Sequence, residues 1–251
     1  MTQEQVLKGR ILDLAECCWQ QGRYTFTGFL NAGEQAVFFG MEREVSFVPW
    51  MLYGGGEDCE RRMLRFGSAD LLGFEEEFPI RCLVAEPAVK KFAEDLSHRD
   101  FLGALMHLGI ERDVLGDIVV KDSTGYIFCE TDMAEFLCEN LTRVRHTSVV
   151  CRVEKGCPEA AKPEFLVEEH VVSSNRADAI AAKVFHLSRG DCLELFRAQR
   201  VFLNGRVYEN NSGSLKPGDI VSVRGFGKFV FDGVKGDTKK GKIRAAVRRY
   251  V

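Results

Sequence analysis

The 251-residue sequence has no run of 18 uninterrupted apolar residues, which excludes an ordinary membrane-spanning helix. Its opening, MTQEQVLKGR, is not the basic segment followed by an apolar one that directs export, so a cytoplasmic protein is expected. None of the nine cysteines, scattered from Cys17 to Cys192, stands in a C-x-x-C pair, and their number is odd. Neither a disulfide framework nor a ribbon-type zinc site is indicated, and the thiols read as reduced side chains packed as small apolar groups. The histidines at 98, 107, 146, 170 and 186 show no H-E-x-x-H spacing, so no metal and no other cofactor is expected.

Local patterns that imitate enzyme motifs lack their second element. Gly236 to Lys242 fits G-x-x-x-x-G-K, but Ile243 stands where a hydroxyl must hold magnesium. His98-Arg99-Asp100 has the order of the kinase catalytic loop, yet Leu105 occupies its asparagine position and no D-F-G follows. It reads better as a helix start with an acid in the first turn. The acids Glu75 to Glu77 are adjacent in the chain, which suits solvent better than paired acid-base catalysis.

What the chain does have is enough apolar sequence for a core, 45% apolar with 28% charged residues, at a length that suits two or three small domains. The formal net charge of -3 hides an asymmetry. From Arg176 onward there are 16 Lys and Arg against 7 Asp and Glu, while the preceding 175 residues hold 18 against 30. An acidic body with a basic end is the distribution expected when one segment faces a polyanion.

Periodicity divides the chain further. Val6, Ile11, Leu14 and Cys18 share a helical stripe over Glu4–Gln21, with Gly22 as its stop, and a second helix is expected over Ala32–Phe39. Val45–Tyr53 and Glu60–Phe66 read as strands around a turn at Gly54, Gly55 and Gly56. Residues 1–76 therefore read as a small N-terminal α/β domain. In residues 77–155 the order is strand Ile80–Ala85, helix His98–Leu108, strands Asp117–Val120 and Tyr126–Glu130, helix Asp132–Leu141 and strand Ser148–Val153. This is the order of a split βαβ, ferredoxin-like (RRM-like) domain. The aromatic RNP motif of RNA-binding domains of that architecture is not found in it. Residues 156–174 read as a connection or an irregular strand pair, and the expected class is a multidomain α+β protein.

The last third parses most sharply. Ala177, Ile180, Ala181 and Val184 form one helical face, and Ser188 is placed to cap a second helix reaching about Gln199. Asn204-Gly205, between Val201-Phe202-Leu203 and Arg206-Val207-Tyr208, signals a type I′ hairpin. Lys216-Pro217-Gly218-Asp219 is a second turn, leading into the alternating strand Ile220 to Val223. Wound at about 100° per residue, the second helix brings Arg189, Arg197 and Arg200 into one sector, which Leu193 shares. Guanidinium forks so grouped suit phosphates. Residues 233–251 read as a basic tail that can follow an RNA backbone.

The motifs R-x-D at Arg176 and Asp178, L-S-R at Leu187 to Arg189, V-x-L-N-G at Val201 to Gly205 and L-K-P-G-D at Leu215 to Asp219 resemble the αL RNA-binding domain first named for ribosomal protein S-four. Residues 175–232 would form it. Ala177 replaces the family's usual leucine, and Gln199 stands where glycine is common. With LSHRDFLGALMHLGIERDVLGDIVV at Leu96–Val120, VRGFGKF at Val223–Phe229 and the ending TKKGKIRAAVRRY, most of the chain resembles the bacterial and plastid YlmH family of three-part proteins.

The resemblance implies binding to structured RNA, ribosomal and also transfer RNA. The large ribosomal subunit, including one holding trapped peptidyl-tRNA in quality control or assembly, ranks first as partner. DNA and membrane partners are not expected, and a monomer is the default. The expected contacts are Arg176, Ser188, Arg189, Arg197, Arg200, Asn204, Arg206, Arg224, Lys228, Lys239, Lys240, Lys242 and Arg244. No protein chemistry is expected, since the signatures of pseudouridine synthases, methyltransferases and tRNA synthetases that carry αL modules are missing from the sequence. An RNA-modifying or RNA-processing enzyme, with its site in the acidic first two domains, is the alternative.

Overall fold

A computed structural model describes residues 2–56, 59–238 and 241–250. The chain divides into two compact units, Met1–Lys162 and Pro163–Val251.

The first unit opens with helix α1 (Gln3–Gln21), strand β1 (Thr25–Phe26), helix α2 (Ala32–Met41), strands β2 (Trp50–Tyr53) and β3 (Met63–Phe66), and the single turn α3 (Ala69–Leu72). A capping box between Thr2 and Gln5 starts α1, and Gly22 ends it at φ 61°, donating its N–H to the Cys18 carbonyl at 3.1 Å. Ile11 and Cys18 are buried as their spacing requires, against Phe38, Leu64 and Phe66. Val6, placed on the same stripe by sequence, is 53% exposed, because the first turn of the helix lies outside that core. Strands β1 and β2 flank β3 in an antiparallel sheet.

Both sequence-predicted strands here are shorter than expected. Residues 42–48 form turns closed by local bonds such as Glu44 N–H to the Met41 carbonyl at 2.9 Å, although Val45 and Val48 are buried. Burial in a turn leaves the same apolar signature as burial in a strand, and here the backbone bonds stay local.

The chain continues through β4 (Ile80–Pro87), α4 (His98–His107), β5 (Leu115–Lys121), β6 (Thr124–Glu130), α5 (Thr131–Asn140), β7 (Arg143–Val144) and β8 (Thr147–Glu154). The antiparallel sheet has the order β5-β6-β4-β8-β7. On one face, Leu83, Ala85, Ile127 and Cys129 pack with Phe101 and Leu105 of α4 and Ala134 and Leu137 of α5. On the other, Cys82, Val84, Tyr126 and Phe128 pack with Phe29, Cys59, Met63 and Ala161. The segments read as separate domains, 1–76 and 77–155, thus share a core and lie in one compact unit.

Polar bonds lock the same junction. The Arg61 guanidinium donates to the carbonyls of Leu115, Phe29 and Arg112 at 2.8–2.9 Å, and Asp117 accepts from the backbone N–H groups of Glu60 and Arg61. Gly55, at φ 98°, lies so close to the Phe128 ring that a Cβ there would stand 2.4 Å from it.

The second unit comprises β9 (Phe165–Val172), helices α6 (Ala177–Val184) and α7 (Arg189–Arg197), and strands β10 (Val201–Leu203), β11 (Arg206–Val207), β12 (Ile220–Val223), β13 (Gly227–Asp237) and β14 (Ile243–Tyr250). The sheet order is β11-β10-β12-β13-β14-β9, antiparallel throughout. Ile180, Val184, Cys192 and Phe196 of the helices bury against Val221, Val223, Phe229, Phe231, Ala245 and Val247 of the sheet.

Two expectations are corrected here. The stretch 156–174 contains β9, which pairs over its whole length with β14. Residues 243–250, read as part of a basic tail, form β14 between β13 and β9. Ile243, Ala245 and Val247 face the core between Arg244, Ala246 and Arg248, a two-residue alternation that the density of positive charge obscures in the sequence.

Candidate nucleic-acid interface

The second unit holds the sequence-predicted contacts, and its local geometry divides them. Arg176 is the N-terminal cap residue of α6, and its guanidinium grips Asp178 in a fork, Nε to Oδ1 at 3.0 Å and Nη2 to Oδ2 at 2.7 Å. Asp178 is 1% exposed and accepts a third bond from Asn211 Nδ2 at 3.1 Å. Burial pushes its carboxyl pKa up, and the bonds from Arg176 and Asn211 outweigh that and hold it below the ordinary value. Arg176 is thus committed to a buried structural pair, which uses two of its five N–H donors.

Ser188 caps α7, accepting from the Asp191 N–H at 3.1 Å and donating to its carboxylate at 2.7 Å. Arg189 follows as the first residue of the helix, exposed and without an ion pair among the described residues. Arg197, two turns on, is exposed and bonds Glu194 at 2.5 Å. The helix ends there, two residues short of the expected end, because Gln199 turns left-handed at φ 53°. The Arg200 N–H then closes onto the Leu195 carbonyl at 2.9 Å. Arg200 is therefore off the helix, and the helical spacing that groups it with Arg189 and Arg197 does not apply to it. It joins instead the turn between β12 and β13. Arg200 Nη2 donates to the Arg224 carbonyl at 2.7 Å, and the Arg224 N–H donates to the Arg200 carbonyl at 2.9 Å.

Asn204 and Gly205 take the left-handed conformations of the expected hairpin, φ 51° and 83°, with Leu203 opposite Arg206. The Asn204 side chain is spent on the fold, donating to Asp219 and accepting from the Ile220 N–H, both at 2.9 Å. Arg206 is exposed on β11. The Arg224 guanidinium lies over the Phe202 ring at 4.7 Å, and Lys228 Nζ over the Tyr250 ring at 4.6 Å. Lys242 and Arg244 are exposed at the start of β14, and Lys239 and Lys240 lie outside the described residues.

One exposed group went unnoticed in the sequence. Phe226, between Gly225 and Gly227, is 45% exposed at the tip of the turn that carries Arg224 and Lys228. The signal was available in R-G-F-G-K, an aromatic set between glycines and cations.

Chemistry elsewhere is restrained. Burial pushes the thiols of Cys59, Cys129 and Cys151 up to about 12 and that of Cys192 to about 11, so these groups are protonated at neutral pH and poor nucleophiles. Among the described residues no group of three or more His, Cys, Asp or Glu is placed to hold a metal ion. No helix of the described chain is long and apolar enough to cross a membrane.

The family model described as "Putative RNA-binding domain in YlmH" matches residues 75–155. A relative from Bacillus subtilis (strain 168), "Ribosome-associated protein quality control protein P2", is 28% identical over 231 residues, covering 92% of this chain and 89% of the relative. The chain is a YlmH-like protein. A solved structure, "Cell division protein ylmH from Streptococcus pneumoniae", overlays with a TM-score of 0.48 at 18% identity, covering 61% of this chain and 92% of that one. In this YlmH-like chain the matched segment carries 10 Lys and Arg against 16 Asp and Glu, and the central strands of its sheet are covered on both faces. Its aromatics Tyr126 and Phe128 are buried, so they offer no open platform on which bases could stack.

Proposed function

We propose that this YlmH-like protein is a non-catalytic RNA-binding protein that docks on structured RNA through its second unit. The RNA is ribosomal RNA of the large subunit, and the setting is quality control of a subunit that still holds peptidyl-tRNA. In this reading residues 175–232 form an αL, S-four-like module, to which the strands of 163–172 and 243–250 add, and residues 77–155 form a ferredoxin-like domain.

The observation that carries the reading is the cationic turn of Arg200 and Arg224, hydrogen-bonded to each other and free of carboxylate partners among the described residues. Arg189 supports it. A cation in the first turn of a helix opposes the helix dipole and costs stability, about 0.3–1 kcal/mol, whereas beside backbone N–H groups it favours an anion. Such a residue is explained by a ligand better than by the fold. The name of the Bacillus subtilis relative supplies the ribosomal setting.

The test is sedimentation of the full chain with large ribosomal subunits at low and high salt, for the natural sequence and for Arg189→Glu with Arg200→Glu. The natural chain is expected to co-sediment and to dissociate as salt rises, and the double variant to stay at the top with its circular dichroism unchanged. Two lost phosphate contacts correspond to a decrease of roughly 1.5–2 in the slope of log affinity against log salt. A natural chain that does not sediment with the subunit, or a double variant that does so undiminished, refutes the proposal.

A further inference from the structure

The turn joining β12 to β13 presents an aromatic ring to solvent, with Arg224 and Lys228 on either side of it in the chain and the Arg200 guanidinium bonded to the turn backbone. Val223 pairs with Gly227 at its base, and the Phe226 N–H closes it on the Val223 carbonyl at 3.0 Å. Both flanking glycines are needed. Gly225 sits at φ 87°, where a side chain would be strained, and a Cβ there would stand 2.8 Å from Arg200 Nη2 and push that guanidinium aside. Gly227, at φ 123°, is also in a region that side chains rarely adopt.

Phe226 is not exposed for want of a core. The neighbouring Phe229 is fully buried, and Phe185 bridges the two, its ring centroid 5.8 Å from Phe229 and 6.2 Å from Phe226. Phe226 reaches that cluster only through Phe185, which leaves nearly half of it in water. Across the strands, Phe202, Ser222 and Lys228 share one line of the sheet, and Arg224 lies over Phe202. Cations therefore stand before and after the ring in sequence, with Arg200 held against the turn.

We propose that Phe226 is a stacking platform for an unpaired RNA base, with Arg200 and Arg224 holding the phosphates beside it. The inference rests on the RNA-binding reading and adds that the bound element offers a splayed base at this turn. A planar apolar ring among guanidinium groups matches a nucleotide, which offers a π-face and a phosphate a few ångströms apart. A regular duplex keeps its bases stacked on one another and has no face to give.

The experiment measures affinity of the full chain for two probes, a single-stranded oligoadenylate and a blunt RNA duplex of the same number of phosphates, over a range of salt. The chains compared are the natural sequence, Phe226→Ala, Phe226→Trp and the Arg189→Glu, Arg200→Glu double variant. Phe226→Ala is expected to bind the single strand about tenfold more weakly with its salt slope unchanged and the duplex undiminished, while Phe226→Trp retains binding. An alanine variant that binds the single strand as the natural chain does, or that loses both probes equally, overturns the stacking assignment. A natural chain that binds neither probe overturns it together with the RNA-binding reading. Affinities that fall in the double variant but not in Phe226→Ala leave that reading standing and sink only this one.

Discussion

Replacing Asp178 by alanine removes the group that fastens the start of α6 to the loop before β12. Its carboxylate takes two bonds from Arg176 and one from Asn211, and its own N–H reaches the Asn211 carbonyl at 3.1 Å. Breaking a buried ion pair by removing one partner costs about 3–5 kcal/mol. Arg176 is 34% exposed and can recover part of its hydration, which places the expected loss near the lower end, about 3 kcal/mol. For a unit of Pro163–Val251 size that is a fall of roughly 15 °C in midpoint. The pH dependence has a definite sign. The folded-state pKa of Asp178 is lowered from its ordinary 3.8, so its stabilising contribution is full above 3.8 and disappears as pH falls through the lower folded value. Urea unfolding followed by circular dichroism should therefore show a large gap between the natural chain and Asp178→Ala at about pH 7 that narrows as pH falls below 3.8. A gap under about 1 kcal/mol at neutral pH, or one that persists undiminished in acid, would refute the reasoning.

Two further substitutions probe backbone conformation. Gln199→Gly should stabilise the second unit by about 0.5–1 kcal/mol, since Gln199 holds φ 53° at the end of α7 and gains only an exposed bond to Glu209 in return. Thermal unfolding that shows no gain would mean the left-handed turn carries no strain. Gly55→Ala should destabilise the first unit by about 3 kcal/mol, because it combines φ 98° with a Cβ 2.4 Å from Phe128. Equal midpoints for the two chains would show that the junction between the two sheets of that unit can yield.

What could be read from the sequence was local. Gly22 and Ser188 cap their helices, Asn204-Gly205 turns its hairpin, and Lys216 to Asp219 closes at 3.0 Å, because each motif fixes its own geometry within four residues. The misreadings came from distance along the chain. Pairing of Tyr250 with Phe165 gives β14 and β9 their place, and no local spacing announces a partner so far away. Arg200 was misplaced for a different reason. A helical wheel assumes that the helix goes on, and the residue that stops it is a glutamine in a conformation usually left to glycine.

The charge count that first pointed to a polyanion overstates the footprint. Of the cations from Arg176 onward, Arg176, Arg197, Arg248 and Arg249 are engaged by Asp178, Glu194, Asp232 and Glu168. A paired cation already has its charge partly offset by a carboxylate, so it adds less than a full counterion to what binding releases. Arg189, Arg200, Arg224, Lys242 and Arg244 have no such partner among the described residues, and all are exposed. Salt dependence of binding should therefore scale with that smaller set. Residues 1–162 carry 18 Lys and Arg against 27 Asp and Glu, a balance that repels a polyanion.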